Sequence, residues 1–258
     1  MPEIPDLHVY AGNLQKRLAG KKLQKLQVSK VAKTTVGATA LRRAVEGKTL
    51  QKVYREGKEL RLVFSGKTVL GIHLMLHGKP YWQDRDGAQP FTLFTFFFTG
   101  GIVLAVADFQ KAARLSLNPA PSDVPDVLSP AANAAFWKKA LQSNAGIKKL
   151  LLDQQVVRGI GNAYSDDILW KAGISPFSIA NKIPPAKIAA LRRAIKSVLA
   201  NGEKQIRKRQ PDMIGGVLRD FMLVHNAKRK RSPGGALIKK AASGGRKTYY
   251  TSEQKLYK

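Results

Sequence analysis

Pro2 and Glu3 are the first residues that can do covalent chemistry. Once Met1 is removed, Pro2 exposes a secondary amine. Such an amine can attack an electrophilic carbon, for instance a sugar C1′, and form an iminium, as lysines do in Schiff-base catalysis. An α-amino group titrates at about 8, so an appreciable minority is unprotonated at neutral pH. Glu3 can move protons to or from the ring oxygen and the C2′ position. A proline after Met is more often only a favourable processing site, so the pair needs support from elsewhere. A second constellation is Arg158-Gly159-Ile160-Gly161-Asn162, a glycine turn that can offer backbone amides and an amide side chain to phosphate.

Several elements must position these groups. Leu7, Tyr10, Ala11, Leu14 and Leu18 recur at three- and four-residue steps, which predicts a helix in 2–22 with Pro5 in its first turn and Gly20 near its end. From Lys22 to Phe109 the pattern predicts strands at 23–28, 60–64, 68–74, 91–98 and 102–106, with a short helix at 38–45 between the first of them. Gly66-Lys67 and Gly100-Gly101 read as hairpin turns, and the whole as a two-sheet β-sandwich. Residues 118–130 hold four prolines and no basic residue, and read as a linker. Beyond it, helices are expected at 131–141, 147–157, from 162 to the stop at Gly173, and 186–201. The first pair of glycines after residue 157 joins two of these into a helix–turn–helix shape. The tail, 226–258, has ten Lys/Arg and one acidic residue. Its composition suits a disordered basic arm, yet 236–240 and 247–250 look like strands around Ser243-Gly244-Gly245.

Charge is the strongest global fact. Lys+Arg number 45 against 17 Asp+Glu, a formal net charge of +28, which implies a polyanionic partner such as a nucleic-acid backbone. A ribosome-associated basic protein fits the charge equally well but gives no use for Pro2 and Glu3. No stretch reaches the length of a membrane span. The start MPEIPDLHVY lacks a secretory pattern, so the expected location is cytoplasmic. With no cysteine there is no disulfide or thiolate metal site, and four scattered histidines make a metal centre improbable.

The residues LLLDQQVVRGIGNAYSDDIL closely resemble the helix–two-turn–helix of the formamidopyrimidine-DNA glycosylase and endonuclease VIII family. Three further segments fit that family in the right order: MPEIPDLH at the start, 55–78, and GGRKTYY at 244–250. The resemblance implies a fold of mixed α+β class, with an N-terminal catalytic sandwich (1–118), a linker (119–130), a helical DNA-binding domain (131–225) and a finger hairpin (226–258). It implies a bifunctional DNA glycosylase and AP lyase of base excision repair, using Pro2 as nucleophile and Glu3 as acid–base partner. Lys58, in the Gly57-Lys58 turn, would contact the lesion nucleotide and its phosphate. Leu76, at the tip of His73-Leu74-Met75-Leu76-His77-Gly78, would fill the hole left by an extruded base. Lys148, Asn162 and Arg246 would hold the DNA backbone. Asp6, where the family usually has Glu, keeps the charge with a shorter reach and is grouped with the DNA-facing residues. The finger is a zinc-free hairpin, since no cysteines exist to bind a metal, and no cofactor is expected. The partner is double-stranded DNA carrying damaged bases or abasic sites, met by a monomer.

Two departures bear on specificity. Where the family commonly has DPRRFG, with an Arg and a Phe facing the base opposite the lesion, this chain has Asp108-Phe109-Gln110-Lys111-Ala112-Ala113. The loop that caps oxidised guanine in some members has no counterpart before Val224-His225-Asn226. The expectation is strong action on abasic sites and on ring-opened or ring-saturated bases, with little dependence on the opposite base. The alternative is a non-catalytic or abasic-site-directed DNA-binding protein that has lost base-lesion specificity.

Overall fold

A computed structural model describes residues 1–84 and 87–258 and divides the chain into two compact units. One comprises Met1–Pro121 and Ile206–Val217, the other Ser122–Gln205 and Leu218–Lys258. The mixed α+β class expected from the sequence is observed, with sheets in the N-terminal part and helices in the C-terminal part.

The first unit opens with α1 (Ile4–Leu18), whose buried residues include Ile4, Leu7, Tyr10, Leu14 and Leu18, the stripe expected from their spacing. Its start is fixed by a capping box between Glu3 and Asp6, and Gly20 follows its end with φ +79°. The chain continues through β1 (Leu23–Val28), β2 (Lys33–Thr34), α2 (Ala38–Val45), β3 (Leu50–Glu56), β4 (Glu59–Phe64), β5 (Thr68–His73), β6 (Lys79–Trp82), β7 (Thr92–Phe98), β8 (Ile102–Ala107) and β9 (Arg114–Leu117). These form two sheets, ordered β1-β7-β8-β6 and β2-β9-β5-β4-β3. Along β7, Phe94, Phe96 and Phe98 alternate onto one buried face. Four strands were not foreseen: β2, β3, β6 and β9. Pro80 sits in β6, an edge strand, where a missing amide donor is tolerated.

Gly215 and Gly216, in the 206–217 part of this unit, pack against its N-terminal part. Tyr10 donates its hydroxyl to the Gly216 carbonyl, and Asn13 Nδ2 donates to the carbonyls of Pro211 and Met213, both at 2.8 Å. A Cβ on Gly215 would lie 2.1 Å from the Pro80 carbonyl oxygen, so only glycine fits.

The second unit holds α3 (Ala134–Ala140), α4 (Ile147–Leu152), α5 (Asn162–Ala172), most of α6 (Ala186–Arg209), and the hairpin β10 (Lys239–Ser243) with β11 (Arg246–Tyr250). The tail is therefore a folded hairpin. Gly244 and Gly245 have φ of +55° and +73°, as a tight turn between Ser243 and Arg246 demands. Three expectations are corrected. Helix α4 stops at Leu152 instead of 157, because Asp153 bends the chain and its carboxylate accepts the Gln155 amide at 2.9 Å. Helix α6 runs on to Arg209, past Gly202, whose missing Cβ leaves room for the Tyr164 ring. The proposed linker is not loose at its end: Arg158 donates from Nε to the Val124 carbonyl at 2.7 Å and from its amide to that of Pro125 at 2.9 Å, while Val127 returns a bond to Arg158.

Candidate active site and nucleic-acid interface

In the first unit, Pro2 is buried and Glu3 is only 4% exposed, directly before α1. The Asp6 carboxylate accepts the Glu3 amide at 2.8 Å and is itself 0% exposed. Asp6, grouped in the sequence with the DNA-facing residues, is here engaged at the head of α1. It caps the helix and fixes the backbone that carries Glu3, and its shorter side chain reaches because it lies three residues along the first turn.

Lys58 occupies the two-residue turn between β3 and β4, where Glu56 pairs with Glu59 and Gly57 supplies a φ of +58°. Buried Arg61 sits behind this turn, 3.1 Å from Glu59 and 3.5 Å from Glu56, and Arg55 Nη1 donates to the Gly57 carbonyl at 2.9 Å. A turn tied at both shoulders holds its lysine in place. The register of β4 and β5 sets Glu59 opposite His73, so Lys58 adjoins the start of the 73–78 loop. In that loop Met75 adopts φ +52° and donates its amide to His73 Nδ1 at 3.0 Å. Gly78 closes it by donating to the Leu74 carbonyl at 2.8 Å, and a Cβ there would lie 2.3 Å from that same oxygen. Leu76, at the tip, is 51% exposed. An apolar side chain held out on a strained turn suits insertion into a stack of bases.

Burial holds His73 below its ordinary value of 6.5, with Glu59 opposing and Lys58 and Arg114 reinforcing. The unfolded chain therefore takes up a proton that the folded loop resists. The stability this group contributes is present above pH 6.5 and is lost as pH falls from there through the folded pKa. Thermal melts should lose more stability between pH 8 and 5.5 for the wild-type chain than for His73→Gln; parallel losses would place the titration elsewhere.

In the second unit the turn between α4 and α5 is pinned by Gln154, a residue the sequence reading passed over. Its Nε2 donates to the carbonyls of Leu152 and Ile160 at 2.9 and 3.1 Å, and its Oε1 accepts the Gly159 amide at 2.9 Å. Gly159 has φ +111° and Gly161 caps α5. Asn162, at the first turn of α5, donates from Nδ2 to the Lys247 carbonyl at 3.0 Å, so its amide holds the hairpin.

Lys148, expected to hold the DNA backbone, is 2% exposed in this structure. Its Nζ lies 2.7 Å from Asp166 Oδ1 and donates to Thr248 Oγ1 at 2.8 Å. The other Asp166 oxygen accepts the Tyr249 amide at 3.0 Å and bonds His225 Nδ1 at 2.7 Å. The adjacent Asp167 accepts the amides of Leu223, Val224 and His225 at 2.6 to 3.0 Å. Burial pushes its carboxyl up while those donors pull it back. The two neighbouring carboxylates thus anchor the 223–225 segment and the hairpin to α5. Arg246, exposed beside the hairpin turn, is left facing outward. Among the described residues no cluster of potential metal ligands occurs.

These arrangements match known proteins along nearly the whole chain. Residues 1–115 match the formamidopyrimidine-DNA glycosylase N-terminal domain, and residues 124–209 the formamidopyrimidine-DNA glycosylase H2TH domain. The formamidopyrimidine-DNA glycosylase of Pelotomaculum thermopropionicum is 31% identical over 271 residues, covering 97% of each protein. That of Enterococcus faecalis is 32% identical over 216 residues, covering 78% of this chain and 75% of the relative. Among solved structures, Lactococcus lactis Fpg bound to DNA containing an abasic site superposes with a TM-score of 0.86 at 25% identity, covering 98% of this chain and 100% of the other. The same enzyme bound to DNA containing an oxidised pyrimidine gives 0.86 at 25%, covering 98% and 99%. With both domain models matched in order and a relative 31% identical over nearly the whole of both chains, the chain belongs to the formamidopyrimidine-DNA glycosylase family.

Proposed function

We propose that this DNA glycosylase works through Pro2 as a combined glycosylase and AP lyase on duplex DNA. The observation that carries the reading is the ordered Pro2-Glu3 pair at the head of α1, with Glu3 fixed by the Asp6 cap. The amine of Pro2, freed by loss of Met1, attacks C1′ of an extruded nucleotide. The bond from C1′ to the base breaks, and the base leaves with a proton. Glu3 protonates the ring oxygen as the sugar opens and the iminium forms. Loss of a C2′ proton then expels the 3′ phosphate oxygen, cutting the strand, and water adds to C1′ of the remaining iminium to release Pro2.

Lys58 and Leu76 serve the extruded nucleotide and the gap it leaves, and Arg246 takes phosphate. Lys148 and Asn162 act as positioning residues, by setting the hairpin that carries Arg246. The relatives' names and the DNA seen in the solved complexes support ring-opened purines, oxidised pyrimidines and abasic sites as the substrate range. We take the enzyme to act as a monomer in the bacterial cytoplasm; no helix among the described residues is long and apolar enough to cross a membrane.

Borohydride reduction on DNA with an abasic site tests this directly. The chain with Met1 removed, as checked by mass, should give a covalent adduct and strand scission. Binding without either would leave a DNA-binding protein and sink the enzymatic reading.

A further inference from the structure

Arg61 occupies the interior of β4, between the buried Leu60 and Leu62, and is itself only 6% exposed. Its Nη2 lies 3.1 Å from the Glu59 carboxylate and its Nε 3.5 Å from that of Glu56. Among the described residues, Nε and Nη1 find no hydrogen-bond partner. Room for the group comes from the next strand. Gly71 of β5 pairs with Arg61 in register, and a Cβ there would lie 2.7 Å from Arg61 Nη1 and 2.5 Å from Ser116 Oγ. Stability alone does not favour this arrangement. A buried guanidinium with unmet donors is costly, and apolar replacements of buried ion pairs are often neutral or stabilising.

What the guanidinium supplies lies at the turn. Glu56 and Glu59 stand directly opposite each other at its base, a placement in which like charges repel. Between them in sequence are Gly57 and Lys58. Arg55 falls on the other face of β3 from Glu56 and gives its Nη1 to the Gly57 carbonyl. His73, opposite Glu59 on β5, has its pKa lowered by burial and carries no charge near neutral pH. Arg61 and Lys58 are left to answer the two acids. A planar fork engages two carboxylates at once, whereas an ammonium is a point charge on a flexible stem. Without Arg61 both acids would turn to Lys58, and a lysine neutralised in that way attracts phosphate weakly. We propose that Arg61 is a positioning residue of the lesion site: it competes with Lys58 for Glu56 and Glu59, and so keeps the lysine's charge available to the phosphate of the damaged nucleotide. The assignment rests on the reading of Lys58 given above.

The test uses the full chain with Met1 removed and a duplex holding an uncleavable tetrahydrofuran abasic analogue, with Kd followed against salt concentration. The side chains of Glu56 and Glu59 are 30% and 27% exposed, so Arg61→Leu and Arg61→Gln leave no fully buried charge and should both stay folded. Each should weaken binding about tenfold and lower the salt slope by about one, as the loss of a single phosphate contact does. Lys58→Ala should do the same, and adding Arg61→Leu to it should change neither quantity further. Glu56→Gln with Glu59→Gln should restore both quantities in the Arg61→Leu chain, but not once Lys58 is alanine. A merely structural arginine would lower the melting temperature and leave the slope alone. A wild-type slope in the Arg61 variants, a loss that adds to that of Lys58→Ala, or no recovery on removing the acids would each overturn the proposal. The analogue cannot be cleaved, so this readout is independent of Pro2. Failure of the wild-type chain to form a borohydride adduct would strike the enzymatic reading alone; an adduct together with unmoved slopes would strike only the assignment of Arg61.

Discussion

A variant in which Met1 stays attached to Pro2 is expected to lose the borohydride adduct completely and to slow strand scission by about three orders of magnitude or more, the scale set by losing a nucleophile. Joined to Met1, the Pro2 nitrogen is an amide without an available lone pair, and no other change to the side chains is needed. One extra residue between Met1 and Pro2, chosen to block processing, acylates the same nitrogen and serves as this variant. Pro2→Gly in the processed chain should lose most of the adduct as well. It leaves a primary amine, whose imine must gain a proton before it can withdraw electrons, and it removes the ring that fixes φ at the entry to α1. Affinity for uncleavable abasic DNA should change little in either case, because phosphate contacts lie elsewhere. An adduct that persists with Met1 attached would make a lysine the nucleophile, with Lys58 the first to examine.

The second large effect is on stability. Lys148→Ala is expected to cost about 3–5 kcal/mol, because it strands the fully buried Asp166 carboxylate without its cation. For a chain of this size that is a fall in melting temperature of roughly 10 °C. Affinity for DNA should drop too, through displacement of the hairpin that carries Arg246. Lys148→Met combined with Asp166→Asn removes both charges and keeps an acceptor for the Tyr249 amide, so it should recover much of the loss. Circular dichroism melts of the three proteins decide the matter. A Lys148→Ala chain that melts with the wild type would show that the ion pair contributes nothing net.

How much of this was legible beforehand depends on whether the cause was local. The stripe on α1, the aromatic run of β7 and the Gly244-Gly245 turn are written in residues close in sequence, and all three were read as helix, strand and turn. The stop of α4 at Leu152 was not, because it depends on Asp153 and on Gln154 reaching across the turn to Gly159 and Ile160. Helix α6 passes Gly202 because Tyr164, far away in sequence, needs the space. The same holds for the candidate site. Pro2 and Glu3 are singled out by their chemistry, and Arg246 by the residues around it. Lys148 was singled out as a contact to the DNA backbone, and nothing nearby in sequence shows that Asp166 and Thr248 enclose it.

The last residues of the chain carry one further consequence. Lys255 exchanges backbone bonds with Gly173 and Ser175, Ile179 donates to Tyr257, and Gln254 donates from Nε2 to the Ile174 carbonyl. Glu253 gathers Trp170 Nε1 at 2.7 Å together with the hydroxyls of Ser232 and Thr251. A segment rich in lysine and arginine, and so open to tryptic digestion, is thereby sewn to the helical unit at its far end. A protease needs an extended stretch of loose backbone, so cleavage of this strap has to wait for the unit itself to open. Its survival under digestion becomes a gauge of how firmly the whole helical unit is closed.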